Sequence, residues 1–559
     1  MGAGPIGASI LVLIVSDASI FARTSPSPAL GMRECRRAQS HGASPRGAGA
    51  LTSDFIMCNH LSGQFSSGRK GRLGLGLSAL LFVVACSRAE PERPRPDVLF
   101  LVIDTLRADR LGAYGNERGL SPVIDRLAAE GSLFTGASSQ APWTLLSMSS
   151  MLTSQYPTEQ FERPSESRTT IAESFREAGY STIGVAANSL LDPGTGFERG
   201  FDVYVGRETE NGKRKFPGIF TAATSWIEDS IAAALKRDEN GERKPLFLYV
   251  HPVDPHAPYR EQASFLKELP VDAAPPIEPA GWQEQTIEEY GLVPPEDDAD
   301  WAKALRGIRR QRNAYDHEVR TTDEALGELL EKLELLGARD NLLIVIASDH
   351  GEELWENVVG TTRKRLKGLE PKTLFFQSHG YSLAEQALRT PIILSGPGVP
   401  QGKVFSEPVE NVDLFPTMVS LCGLRKPEDL HGEDLTRLMR GKIASDEWRK
   451  ETFSYVAHCY CMRDEVAGLK LILPTPYGIK LDLAKPQLYD LNKDPLERHN
   501  IIDERPDDVS RLTLRMQEYL KRYDAEVSWA EDAEAATLRR RLQENGYAGM
   551  LIGDEEDEN

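Results

Sequence analysis

The chain has 559 residues, 40% of them hydrophobic, enough for one large domain and a smaller one around an extensive core. Its formal charge of −19 excludes nucleic acid as a general partner, because a phosphate backbone demands a basic surface. Six cysteines in so long a chain make no disulfide framework, and Cys459 and Cys461 flank a single residue, so any bridge would draw on Cys422.

Residues 1–56 are rich in Gly, Ala, Ser, Pro and Arg and are expected to be disordered or absent from the mature protein, with Met57 the better start. From there Arg69-Lys-Gly-Arg72 precedes an apolar run at 73–85, of secretory length and short for a membrane span. The run ends Val83-Val-Ala-Cys-Ser87, which resembles the lipobox of bacterial lipoproteins. That reading makes 57–86 a signal peptide and Cys86 a lipid anchor, and it predicts an exported lipoprotein on the outer membrane or the periplasmic face. A plain signal peptide with an incidental cysteine is the alternative. Residues 87–97 read as a proline-stiffened tether.

Val98-Leu-Phe-Leu-Val-Ile103 is an unbroken apolar run closed by Asp104, the form of a strand buried on both faces. The form recurs at 182–187, at 246–250 before His251, at 342–347 before Ser348-Asp349-His350, and at 391–394. Amphipathic stretches at 121–130, 170–178 and 323–336 alternate with these runs. The alternation predicts an α/β fold, an open and mostly parallel sheet with helices on both faces. Ligands gather at the carboxyl ends of such strands, where Asp104, His251, Asp349 and His350 fall. Between them Ala141-Pro-Trp-Thr144 opens a small-residue and apolar run, which places the Thr144 hydroxyl near a helix start. A threonine cap is the bland reading; proximity to free N–H groups and a dipole suited to an anion is the functional one. Two carboxylates and an imidazole at strand ends suit a divalent cation that also engages an anionic substrate.

After about residue 423 the parallel pattern ends. Strands at 451–458, 469–473 and 486–491 predict a small antiparallel sheet, with helices at 507–523 and 533–545, the second stopped by Gly546. The chain closes on the acidic tail Asp554-Glu-Glu-Asp-Glu558, read as solvated.

Taken in order, Pro96-Asp-Val-Leu-Phe-Leu-Val-Ile-Asp-Thr-Leu-Arg-Ala-Asp-Arg-Leu-Gly-Ala-Tyr-Gly115, Gly196-Phe-Glu-Arg-Gly-Phe-Asp202, His251-Pro-Val-Asp-Pro-His-Ala-Pro-Tyr259, Ser348-Asp-His-Gly-Glu352, Ser378-His-Gly-Tyr381 and Leu488-Tyr-Asp-Leu-Asn-Lys-Asp-Pro495 resemble the sulfatase family of the alkaline phosphatase superfamily. The resemblance implies an alkaline phosphatase-like catalytic domain over 98–425, a C-terminal α+β subdomain over 426–525, and a terminal helix and tail over 526–559. It places Asp104, Asp349 and His350 at metal-ligand positions and Thr144 at the nucleophile, itself a metal ligand. His256 and His379 fall at substrate-facing positions, able to protonate a leaving group or clamp the anion. Asp254 is read as structural, capping a turn.

The departures from the family pattern are informative. Family sulfatases carry Cys or Ser at the nucleophile within Cys-x-Pro-x-Arg, the residue that becomes formylglycine; here the chain reads Thr144-Leu-Leu-Ser-Met148, without the modifiable residue, the proline or the arginine. The second metal aspartate is Thr105. Both changes resemble the threonine-nucleophile branch, which includes phosphoglycerol and phosphoethanolamine transferases and phosphodiesterases. The expected activity is hydrolysis or transfer on a phosphate or sulfate ester, phosphodiester favoured, with one divalent ion (Ca, Mg, Mn or Zn). The substrate would be an anionic ester, on a glycan or an envelope lipid head group. A sulfuric ester hydrolase with an atypical site, and an inactive binding protein suggested by Met148 and Thr105, are the alternatives. The basic insertion bearing Lys364, Lys367 and Lys372 is read as a solvated loop, or as one that folds over the site to recognise an anion.

Overall fold

A computed structural model describes residues 94–523, apart from 158–162, 207–208, 211–212, 215–227, 262–264, 266–297, 355, 357–376, 381 and 481–483. The expectations for the signal peptide and Cys86, the basic insertion, the 533–545 helix and the acidic tail lie outside the described residues. Among the described residues no helix is long and apolar enough to cross a membrane.

The first apolar run forms β1 (Asp97–Val102), every residue of which is buried. Its side chains alternate between two cores. Leu99 and Leu101 face one cluster with Ile124 and Leu127 of α1 (Pro122–Ala129). Val98, Phe100 and Val102 face the other, with Met148 and Met151 of α2 (Thr144–Thr153) and Phe175 of α3 (Ile171–Glu177). A period of two that buries both faces is what an unbroken apolar run accomplishes. Four more strands follow in the same sheet: β2 (Ser132–Ser138), β3 (Ser181–Ala186), β4 (Val203–Val205) and β5 (Leu246–His251). The long α4 (Asp298–Leu335) then leads to β6 (Leu342–Ala347), β7 (Ile392–Ser395), β8 (Lys403–Glu410) and α5 (Leu414–Leu421).

The eight-stranded order is β8-β2-β7-β6-β1-β5-β3-β4. β1 runs parallel to β5 and β6, β3 to β4 and β5, and β8 to β2. β7 runs antiparallel to both β2 and β6, so the run at 391–394 joins the sheet in the opposite sense from the others. Its four residues are buried like those of its neighbours, and burial is blind to strand direction.

The C-terminal sheet has four antiparallel strands in order: β9 (Glu451–Val456), β10 (Cys459–Asp464), β11 (Leu469–Pro474) and β12 (Gln487–Asp490), covered by α6 (Pro506–Arg522). One core serves this sheet and the catalytic part together, since Ala141 and Leu146 pack with Phe453, Leu471 and Leu512. Cys422, Cys459 and Cys461 are buried free thiols, so no bridge forms among them.

Candidate active site

β1, β5 and β6 are neighbours in the sheet, and each ends at the same edge. Asp104 follows β1, His251 is the last residue of β5, and Asp349 and His350 follow β6. All four are fully buried. Behind them Gly351 lets the chain pass close to the backbone at Gln386, because a Cβ there would lie 2.0 Å from the Gln386 carbonyl oxygen.

Asp349 Oδ1 accepts from the N–H groups of Thr105 (3.1 Å) and His350 (2.8 Å). Thr105 reaches this position in a left-handed conformation, φ 57°. Asp104 Oδ2 accepts from Asn188 Nδ2 at 2.6 Å, and His251 Nδ1 meets the Tyr249 hydroxyl at 3.1 Å. That leaves Asp104 Oδ1, His251 Nε2 and Asp349 Oδ2 buried with no hydrogen-bond partner. Asp104, His251 and Asp349 each offer a ligand atom within 4.8 Å of the others. Burial of unpaired acceptors is costly, and a cation among them removes the cost. Oxygen and imidazole donors suit a divalent ion, so the residues present fit the metal that the family implies.

The electrostatics agree. Burial and the adjacent Asp104 charge push the Asp349 carboxyl up to about 7. Asp104 is held below the usual carboxylate range, against burial, by the facing His251 imidazole, 3.6 Å away, and the nearby His256 and His350. Two buried carboxylates this close do not both ionise without a positive partner.

Thr144 is the first residue of α2, with Trp143 in the cap position and no side chain capping the helix. Its hydroxyl is therefore not a cap. Oγ1 lies 3.2 Å from His350 Nε2 and 3.4 Å from Asn188 Nδ2. His350 Nδ1 is 2.9 Å from the Gly351 carbonyl, to which it donates as Nδ1–H, leaving Nε2 as the acceptor facing Thr144. Burial and the neighbouring His379 hold the His350 imidazole well below its ordinary range, hence neutral. The bare N-terminus of α2 presents free N–H groups beside the hydroxyl, an arrangement suited to an anion.

His256 and His379 arrive from separate loops. Their rings meet edge to face at 4.9 Å between centroids, and His379 lies 4.5 Å from the His350 ring. His379 Nδ1 pairs with Glu352 Oε1 at 3.1 Å, and despite burial the Glu352 charge pushes its imidazole up to about 9. The structure thus brings Asp104, Thr144, His256, Asp349, His350 and His379 to one place. His251, Asn188 and Glu352 join them. Of the three, His251 closes a strand run just as Asp104 does, Glu352 ends the Ser348-Asp-His-Gly-Glu352 motif, and Asn188 carries no sequence signal beyond following a strand.

Met148, where the family pattern has arginine, is fully buried in the α2 core. Anchoring of the helix passes instead to Ser147, whose Oγ lies 2.5 Å from the Asp349 carbonyl oxygen and 3.0 Å from Ser139 Oγ.

The comparisons with known proteins agree with this geometry. The Sulfatase family model matches residues 96–424, and that for the C-terminal part of N-sulphoglucosamine sulphohydrolase matches 379–526. The chain is 24% identical to an ulvan-active sulfatase of Formosa agariphila, over 63% of this chain and 66% of that protein. It is 23% identical to an N-acetylglucosamine-6-O-sulfatase of Bacteroides thetaiotaomicron, over 84% and 94%. A solved structure in complex with its substrate D-glucosamine-2-N,6-O-disulfate superposes with a TM-score of 0.59 at 22% identity, covering 78% of this chain and 100% of that one. A phosphonate monoester hydrolase of Agrobacterium radiobacter does so with 0.58 at 18%, covering 77% and 96%. These neighbours share the fold, and the matched model spans more than half of the sequence: the chain belongs to the sulfatase family.

Proposed function

We propose that the protein is a metal-dependent ester hydrolase or transferase that uses Thr144 as its nucleophile and prefers phosphodiesters. The supporting observation is the Thr144 hydroxyl at a bare helix N-terminus, 3.2 Å from the unprotonated nitrogen of His350 and beside three unpaired ligand atoms. Asp104, His251 and Asp349 would hold the cation, which when bound would balance the two carboxylates and polarise the ester.

The Thr144 proton passes to His350 Nε2 as Oγ1 attacks phosphorus. The bond to the leaving alkoxide breaks, and the alkoxide takes a proton from His379, which Glu352 keeps charged. The N–H groups of α2 and Asn188 steady the substrate oxygens and Thr144. Water or an acceptor alcohol then attacks phosphorus, giving its proton to the now neutral His379; the bond from phosphorus to Thr144 Oγ1 breaks, and Oγ1 takes back its proton from His350. Formylglycine chemistry has no starting residue here, which is why phosphoryl esters rank above sulfates. The substrate class, an anionic ester on a glycan or envelope lipid, and export as a lipoprotein anchored at Cys86 belong to the same proposal. They are supported by the glycan sulfatases among the relatives and by the run ending Val83-Val-Ala-Cys86.

The test is turnover of aryl sulfate, aryl phosphate and phosphodiester by the full chain over a panel of divalent metals. The phosphodiester is expected to be fastest, and Thr144→Ala to lose on the order of 10³-fold or more. Turnover of sulfate alone would sink the phosphodiester preference, and an undiminished Thr144→Ala would remove Thr144 from the mechanism.

A further inference from the structure

A second concave site lies at the far end of α2. Ten residues of helix rise about 15 Å, so Tyr156, just past the end of α2, stands well away from Thr144. There a cavity of about 230 Å³ opens where α6 meets β9 and β10.

Its floor is aromatic. Tyr156 stacks on His431 with 5.9 Å between centroids and 22° between planes, and Tyr519 and Tyr523 lean against Tyr156 at 4.6 and 4.7 Å. Three guanidiniums, Arg449, Arg515 and Arg522, and three carboxylates, Glu410, Glu433 and Glu451, line it as well. Arg449 pairs with Glu410, and Arg515 with Glu451. Arg522 lies over the Tyr523 ring, 5.5 Å from its centroid, and among the described residues it has no ion-pair partner. The Tyr519 hydroxyl is buried and makes no hydrogen bond among the described residues.

Charge decides the ligand class. With Asp413 also on Arg449 and Glu518 also on Arg515, the groups about the cavity carry no positive excess to select a phosphate or a sulfated unit. Donors and acceptors set beside aromatic rings match a ring that has apolar faces and a hydroxylated rim. The volume, below that of a site for a drug-sized ligand, suits one such ring. We propose that this cavity binds a single uncharged sugar residue of a glycan chain, anchoring it apart from the site at Thr144.

Titration calorimetry of the full chain with neutral galactan, glucan and mannan hexasaccharides tests this. At least one is expected to bind, with Arg522→Gln and Tyr523→Ala each weakening it about tenfold while aryl-ester turnover stays as in the parent; the melting temperature stays so in Arg522→Gln alone, because Tyr523 packs on Tyr156, Tyr519 and His431. Binding should persist in Thr144→Ala and in excess inorganic phosphate, which separates this site from the catalytic one. Failure of all three sugars to bind, binding indifferent to both variants, displacement by phosphate, or preference for a nucleoside would each overturn the proposal.

Discussion

At the scale of single residues, His251 is the group whose removal is most informative. Its Nδ1 is fixed by Tyr249 while Nε2 points without a partner beside Asp104 and Asp349. An imidazole oriented by a second group is the usual arrangement of a histidine ligand. His251→Ala should therefore lower the affinity for added divalent metal at least about 10-fold, read by equilibrium dialysis, and should lower ester turnover at limiting metal. Unchanged metal binding would exclude His251 as a ligand. Asp104, Asp349 and His350 were legible in the sequence because each follows an apolar run that ends abruptly, and His251 carries the same mark. Asn188 was not legible. Its carboxamide works by spanning two elements, accepting from Leu190 N while donating to Asp104 and Thr144, and no local pattern reports such a bridge.

Among the elements, α4 does the most to position the site. Tyr315 takes the N–H of Arg107 and donates to the Thr105 carbonyl, Glu318 accepts from Arg260 N at 2.9 Å, and Thr322 reaches the Asp254 carbonyl. These three lie on one helical face at spacings of three and four, so one stripe braces both the strand end at Asp104 and the loop bearing His256. The next residue, Asp323, accepts from Val123 N and Ile124 N at 3.0 and 2.8 Å. It thereby caps α1, whose own Ser121 makes no cap bond. Asp323→Ala should cost about 1–2 kcal/mol and Asp323→Asn less, measured by denaturant unfolding.

The same helix carries a pH dependence. Burial and Asp254 push the Glu318 carboxyl up to about 8. Between the ordinary carboxylate range, about 4.3, and that value the folded state holds a proton that the unfolded state has lost, so stability falls as pH rises, by on the order of 1 kcal/mol per unit. Glu318→Gln should remove that slope, gaining on the parent in melting temperature from pH 5 to pH 8; a gap constant with pH would contradict it. The sequence showed only the last third of α4, from 323. The part before it turns charged groups inward, Arg312, Asp316 and Glu318 among them, and so hides the apolar period.

Across the whole molecule, the seam between the catalytic sheet and the C-terminal sheet is both oily and charged. Phe453, Leu471 and Leu512 share a core with Ala141 and Leu146, yet Lys470, between Leu469 and Leu471 on β11, is fully buried. Its ammonium lies 2.9 Å from Glu385, beside the catalytic sheet, and 2.7 Å from Glu497 of the C-terminal part. The sequence shows only a strand at 469–473 and nothing that marks its lysine as buried; the packing of two sheets covers both faces. A buried cation bridging two carboxylates adds little net stability over apolar groups, but removing it alone leaves Glu497 with no ion-pair partner among the described residues, while Glu385 keeps Arg389 and Arg463. Lys470→Met should therefore destabilise the chain by about 3–5 kcal/mol, whereas Lys470→Met combined with Glu497→Gln should recover much of the loss. Denaturant unfolding of the single and double variants checks this, and equal losses in the two would show that the lysine acts through packing of its aliphatic stem and not through its charge.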